Sequence, residues 1–155
     1  ERVGKTLART VRELGLGGES VVAVDAESQV MDAVKLMNER KLSALAVVDD
    51  ARDGVMLGNI SISDMKYIFK TRNERLLWST CATFIKNIRM RASLESNKGK
   101  DSFPFYAVSK SCSLHTVIQK LMATGVHRLW VVDQHMKPAG VISMTDVLRV
   151  LNPDA

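Results

Sequence analysis

The sequence is short of the residues with which most chemistry begins. Its 155 residues include only two cysteines, Cys81 and Cys112, too few for a disulfide framework or a four-ligand zinc site. The three histidines, His115, His127 and His135, have no metal-ligand partner at a useful spacing, so no metal site is expected. No glycine loop of the phosphate-binding type occurs, and neither cysteine lies in a nucleophile motif, so no catalytic residue is assigned. There is no run of eighteen apolar residues, which excludes a membrane-spanning helix. What is present, 46% hydrophobic and 25% charged, is the balance of an ordinary globular protein. Cysteines without a framework point to a reducing setting, cytoplasmic or nuclear. A chain that opens on Glu1 with no charged-then-apolar leader is expected to be a fragment or a processed form.

The charge is uneven along the chain. From Lys66 to Lys100 there are nine basic residues and two acidic ones, Glu74 and Glu95, so this stretch carries +7 of a net +5. The remainder is slightly acidic. Such a segment suits an anionic partner, although a solvated face is the commoner reason for charge. No aromatic residues interleave these charges in an RNA-binding pattern, and nucleic acid is not expected as a partner.

What organises the chain is a repeat. Residues 30–49 (VMDAVKLMNERKLSALAVVD) lie over residues 114–133 (LHTVIQKLMATGVHRLWVVD) without a gap. Val30, Ala33, Val34 and Met37 match Leu114, Val117, Ile118 and Leu121, the i, i+3, i+4, i+7 spacing of one helical face. Each helix leads into a Val-rich run ending in Val-Val-Asp, read as a buried strand. Beyond a turn the match resumes, with GNISISDM at 58–65 and GVISMTDV at 140–147. Val21–Val24 and Phe105–Val108 are placed to be first strands. The unit is strand, helix, strand, turn, strand, helix, occurring twice, and two such units together can bury a core that one cannot. Outside them, Thr6–Leu14 reads as a helix ending at Gly15, Glu74–Met90 as a connecting helix, and Ser93–Ser102 as a flexible loop before Pro104.

The sharpest chemical signal is the string Gly-x-hydrophobic-Ser-x-Ser/Thr-Asp, present once per repeat. Ser63 and Thr145 stand where helix caps are expected, with helices over Asp64–Phe69 and Asp146–Leu151. Capping then accounts for one hydroxyl and one acid in each copy but leaves Ser61 and Ser143 over. A ligand accounts for all three positions, because a carboxylate accepts hydrogen bonds from vicinal sugar hydroxyls and a helix start suits an anion. The second copy adds His127-Arg128, where the first has Ser43-Ala44. Arginine suits bidentate phosphate contact, although a cation near a helix end is also a common dipole partner.

These residues resemble the cystathionine-β-synthase (CBS) domain, and the tandem pair resembles a Bateman module. KLSALAVVDD and VHRLWVVDQHMKPAGVISMTDVLRVL are most similar to the last two repeats of the γ subunits of AMP-activated protein kinases and their fungal and plant relatives. The resemblance implies an α/β fold of two βαββα repeats packed in pseudo-twofold symmetry. It divides the chain into an N-terminal helix with the first repeat (1–70), a basic connecting helix and linker (71–104) and the second repeat (105–155). It also implies non-catalytic binding of AMP, ADP or ATP in clefts between the repeats, reporting energy status to an attached or partner protein such as a kinase complex. One site takes Asp64, with Ser61 and Ser63, for the ribose, Phe105, Tyr106 and Val126 for the base, and His127 and Arg128 for phosphate. The other takes Asp146, Thr145 and Ser143 for the ribose, with Val22, Leu42 and Ser43 around the base. Lys98, Lys100 and Lys41 are the remaining cations assigned near phosphate. Each charge-assisted hydrogen bond is worth roughly 1.5–3 kcal/mol, so the cleft with Arg128 is expected to bind phosphate more tightly. Such modules commonly pair again, as a homodimer or with another CBS pair. Two other readings are open. One is a scaffold with empty clefts whose basic linker docks an acidic partner; the other is a pair that binds S-adenosylmethionine, against which the phosphate-suited His127-Arg128 argues.

Overall fold

The computed structural model describes residues 2–18, 20–95 and 105–152. The chain folds as two compact units, Val22–Phe105 and a terminal unit that joins Glu1–Val21 to Tyr106–Ala155.

In the middle unit the chain runs β1 (Ala23–Asp25), α2 (Val30–Arg40), β2 (Ala44–Val48), β3 (Met56–Ser61) and α3 (Ile62–Thr71). A 3-10 helix (Glu74–Trp78) and α4 (Cys81–Glu95) follow. The terminal unit holds α1 (Arg2–Ala8), β4 (Ala107–Val108), α5 (Leu114–Thr124), β5 (Arg128–Val132), β6 (Pro138–Ser143) and α6 (Met144–Leu151). Each unit therefore contains one βαββα repeat. The sheets have the same topology: β1 and β4 pair in parallel with β2 and β5, which pair antiparallel with β3 and β6. The irregularities also repeat, with the register shifting between Val47 and Val48 and between Val131 and Val132.

The helical spacing read from the sequence names the buried faces correctly. Val30, Ala33 and Met37 of α2, and Leu114, Val117 and Leu121 of α5, are buried. They pack with Leu45, Val47, Ile60 and Ile68 in the middle unit, and with Leu129, Val131 and Ile142 in the terminal unit. The acid ending each Val-Val-Asp run closes the following turn. Asp49 Oδ1 accepts the Val55 amide at 2.6 Å, and Asp133 Oδ1 accepts the amides of His135 and Lys137 at 2.8 and 3.0 Å. Those backbone bonds hold the exposed Asp133 carboxyl below its ordinary value.

Two helices differ from the sequence reading. α1 stops at Ala8 and not at Leu14, and the chain continues as turns, with Val11 N–H donating to Cys112 and the Leu114 amide donating to the Arg9 carbonyl. Leu7, Val11 and Leu14 still lie against the core, but that core is the second repeat's, not that of the repeat they precede. The helix expected over Glu74–Met90 breaks at Ser79 and Thr80. There the Thr80 hydroxyl accepts the Thr83 amide at 3.2 Å, while Ser28 and Ala26 carbonyls accept the amides of Cys81 and Ala82. Those carbonyls occupy donors that an unbroken helix would have bonded internally. Ser93–Glu95, read as loop, are the last residues of α4; the rest of Ser93–Ser102, with Lys98, Lys100 and Pro104, lies outside the described residues.

One glycine in each repeat makes room for an added segment. A Cβ on Gly140 would overlap the Gly17 carbonyl, and one on Gly58 would meet Arg89 Nη2 and Ile85 Cδ1, each at 2.8 Å. The N-terminal segment therefore lies against β6 as α4 lies against β3. Arg89 also donates to the Leu57 carbonyl at 3.0 Å, and burial lowers its pKa.

Candidate functional site

In both repeats the last strand runs into its helix with no intervening residue, so the strand's final serine is also the helix cap. Ser61 caps α3 and Ser143 caps α6, in capping boxes completed by Asp64 and Asp146. Asp64 Oδ2 accepts the Ser61 amide at 2.7 Å and its hydroxyl at 2.8 Å. Asp146 Oδ2 accepts the same pair from Ser143 at 2.8 and 2.6 Å, and the Asp146 amide returns a bond to Ser143 Oγ at 3.2 Å. This corrects the sequence reading, which placed the caps two residues later. Ser61 and Ser143, the hydroxyls that capping left over, are the committed ones. Ser63 and Thr145 are exposed in the first helical turn and have no side-chain hydrogen bond among the described residues.

The cap uses only one oxygen of each acid. Asp64 Oδ1 has no partner among the described residues, and Asp146 Oδ1 lies 3.7 Å from Arg149 Nη1. Each helix start thus offers a carboxylate oxygen, a free hydroxyl two residues beyond the cap, and the positive end of a peptide dipole. Burial raises the Asp64 pKa, and the bonds from Ser61 only partly offset it. The folded chain holds that proton more tightly than the unfolded chain does. As pH rises through the raised value the charge forms at a cost to stability; below the ordinary value of 3.8 that cost is absent.

The register places the other residues. Ala44 pairs with Ser61, and the Ser43 carbonyl accepts the Ile62 amide at 3.1 Å, so Ser43 adjoins the start of α3. By the same geometry Arg128 pairs with Ser143, and the His127 carbonyl accepts the Met144 amide at 3.0 Å. Arg128 and His127 thus adjoin the Asp146 box in their own unit, whereas the resemblance grouped them with Asp64, a residue of the other unit. Val22 and Tyr106 occupy matching places, their carbonyls accepting from Ala46 and Trp130. Phe105 and Val126 are half-buried.

A pocket of about 400 Å³ opens in the middle unit beside the α3 start. Val34, Met37, Leu42, Ile62 and Met65 give it an apolar lining, with Asn38, Lys41 and Ser43 as polar members. It includes two of the three residues expected around a base, Leu42 and Ser43. Ile62 and Met65 were not anticipated as lining, although their place in the string before and after Asp64 carried the signal. Among the described residues no group of His, Cys, Asp or Glu is arranged to hold a metal ion, and no helix is long and apolar enough to cross a membrane. Burial pushes the Cys81 thiol up to about 11 and raises Cys112 as well, so neither is an activated nucleophile.

Two parallel-then-antiparallel three-stranded sheets, each closed by a capped Ser-x-x-Asp helix, define a CBS domain pair. The CBS domain model matches residues 11–70 and 101–153, and the chain belongs to that family. Among curated proteins it is 37% identical over 123 residues to protein sds23 of Neosartorya fischeri, covering 79% of this chain and 22% of that one. It is 30% identical over 167 residues to protein sds23/moc1 of Schizosaccharomyces pombe, covering 94% and 40%. The chain spans well under half the length of these relatives. Its fold is that of solved CBS domain structures. The CBS domain of a bacterial CNNM/CorC family Mg2+ transporter, in complex with ATP, has a TM-score of 0.69 at 20% identity, covering 99% of this chain and 95% of that one. A CBS domain pair in complex with 5′-methylthioadenosine and S-adenosyl-L-methionine has a TM-score of 0.70 at 14% identity, covering 96% and 99%.

Proposed function

We propose that this chain is a non-catalytic regulatory module that binds an adenine nucleotide, AMP, ADP or ATP, and passes the bound state to an attached or partner protein, in the manner of the energy-sensing γ subunits of kinases. The observation that carries the reading is the duplicated acid: one oxygen holds the cap, while the other is unpartnered among the described residues at Asp64 and faces only the exposed Arg149 at Asp146. A ribose hydroxyl donates to Oδ1 of Asp64 or Asp146 without displacing the serine that holds the cap, so the site is preorganised by the fold's own stability. Ser63 and Thr145 add a second polar contact. Arg128 and His127 supply phosphate contacts, and Leu42, Ser43 and Val22, with Phe105, Tyr106 and Val126, supply base contacts. ATP and S-adenosylmethionine in structurally similar CBS pairs support adenosine as the shared element. A preference for phosphorylated ligands over S-adenosylmethionine rests on Arg128, which is permanently charged. The setting we assign is intracellular.

Calorimetric titration with AMP, ADP, ATP and S-adenosylmethionine tests this. Asp64→Ala and Asp146→Ala are each expected to weaken nucleotide binding by about tenfold or more, the equivalent of one charge-assisted hydrogen bond. Arg128→Ala is expected to reduce the advantage of nucleotides over S-adenosylmethionine. A hydroxyl donates more strongly to a carboxylate than to a carboxylic acid, so the part of the affinity owed to Asp64 falls on acidification, starting above pH 3.8 because its pKa is raised. Purified protein should leave ATP intact. Binding untouched by either acid substitution, or sustained hydrolysis, refutes the proposal.

A further inference from the structure

The basic stretch after the first repeat presents more than dispersed charge. On α3, Met65 and Ile68 are buried, while Ile62, Lys66, Phe69 and Lys70 form the adjoining exposed stripe at i, i+4, i+7, i+8. Ile62 is 48% exposed and Phe69 64%. Arg72 ends the helix in the left-handed region at φ 51°, and the 3-10 helix begins two residues later. In that tighter helix residues three apart eclipse, so Arg75 and Trp78 share one side. Trp78 is 62% exposed, whereas Leu76 and Leu77 pack into the middle core. The 3-10 helix packs on α3, so the two elements that carry these rows are neighbours.

The charges on this face are uncompensated. Among the described residues the side chains of Lys66, Lys70, Arg72 and Arg75 have no ion pair or hydrogen bond. Glu74 is the one acid in the sequence between Lys66 and Arg89. An apolar patch rimmed by unpaired charge of one sign is the usual signature of an interaction surface. We propose that the α3 and 3-10 face docks an acidic peptide segment of a partner protein. Its carboxylates meet Lys66, Lys70 and Arg75, and an apolar side chain seats against Phe69 and Trp78. The spacing favours a peptide over single-stranded nucleic acid. Stacking platforms use rings along a groove that tracks phosphates, whereas here an aliphatic residue, Ile62, and one aromatic share a helix stripe with the cations.

The test uses fluorescence anisotropy with a labelled peptide of glutamate and aspartate carrying one central leucine, and oligouridylate as the competing probe. The peptide is expected to bind, with affinity falling as salt rises. Lys70→Glu/Arg75→Glu and, separately, Phe69→Ser should each weaken it by about tenfold or more. Since Trp130 is only 5% exposed, Trp78 reports the contact directly by a blue shift of its emission. All four substituted or reporting positions are exposed, and a circular dichroism melt confirms that the variants fold. The proposal is overturned by no peptide binding, by unchanged affinity in the charge-reversed protein, or by oligouridylate binding as tightly as the peptide. It is equally overturned if sedimentation shows the face covered by a second copy.

Discussion

At the scale of the residue, the two hydroxyls in each Ser-x-Ser/Thr-Asp string have separate tasks. Ser61 and Ser143 hold the helix starts; Ser63 and Thr145 hold nothing within the described chain. Ser61→Ala and Ser143→Ala are therefore expected to cost about 1 kcal/mol of stability, the usual loss of a cap. Ser63→Ala and Thr145→Ala, in exposed first-turn positions, should stay within about 0.5 kcal/mol of the parent. If the nucleotide reading is right, these quieter substitutions weaken AMP binding while leaving the melt alone. Paired denaturation and titration of the four variants separates the tasks, and a stability loss confined to Ser63 and Thr145 would reverse them. The sequence showed that this string was special and named both acids. It misplaced the cap because it assumed a gap between strand and helix. The capping-box spacing, serine three residues before the acid, points to Ser61 and Ser143 without needing that gap. Arg128 was legible as a phosphate-suited side chain, but its neighbour across the strand pair, Ser143, depends on register, which no local pattern states.

At the scale of the element, each repeat is completed by a segment that the repeat itself does not encode. The strands and helices common to both copies were legible because their apolar periods differ and recur. The added segments were not. Leu7, Val11 and Leu14 fall at helical spacing and lie in or against the core, yet the Val11 and Arg12 amides go to the Cys112 and Lys110 carbonyls rather than to a helix. Periodicity reports which side is buried and cannot report the partner. The aligned glycines show how closely these segments approach. At Gly140 the obstacle is the Gly17 backbone, which cannot move aside; at Gly58 it is the end of the Arg89 side chain and a methyl of Ile85. Gly140→Ala should therefore destabilise by about 1–3 kcal/mol, as overpacking does, and loosen the N-terminal segment. Gly58→Ala should cost less, because a long side chain can swing away. Chemical denaturation gives the two energies, and limited proteolysis near Arg9–Gly17 reads the loosening. Equal costs, or an N-terminal segment as protected in Gly140→Ala as in the parent, would contradict this account.

At the scale of the whole molecule, the duplication makes a claim that neither copy makes alone. The two units have separate cores, and each carries its own capping box. A nucleotide at each acid must therefore be felt in that acid's own unit, although the two units fold around different side chains. Hydrogen exchange is the measurement suited to this, because capping-box amides are bonded to the side chains that the proposed function assigns to the nucleotide. At AMP about a hundredfold above its Kd, mass action stabilises the bound state by about 2.7 kcal/mol. The amides of residues 61–65 and 143–147 should then exchange more slowly, in the parent protein, by a corresponding factor. Asp64→Ala is expected to abolish protection at 61–65 first and most, and Asp146→Ala at 143–147. Amides of the Asp49 and Asp133 turns, which close on the far side of the same strands from these helix starts, serve as internal references and should change little. Slowing in one unit alone would mean that one of the two acids is purely a cap. The duplicated string would then record the history of the fold rather than a second point of contact.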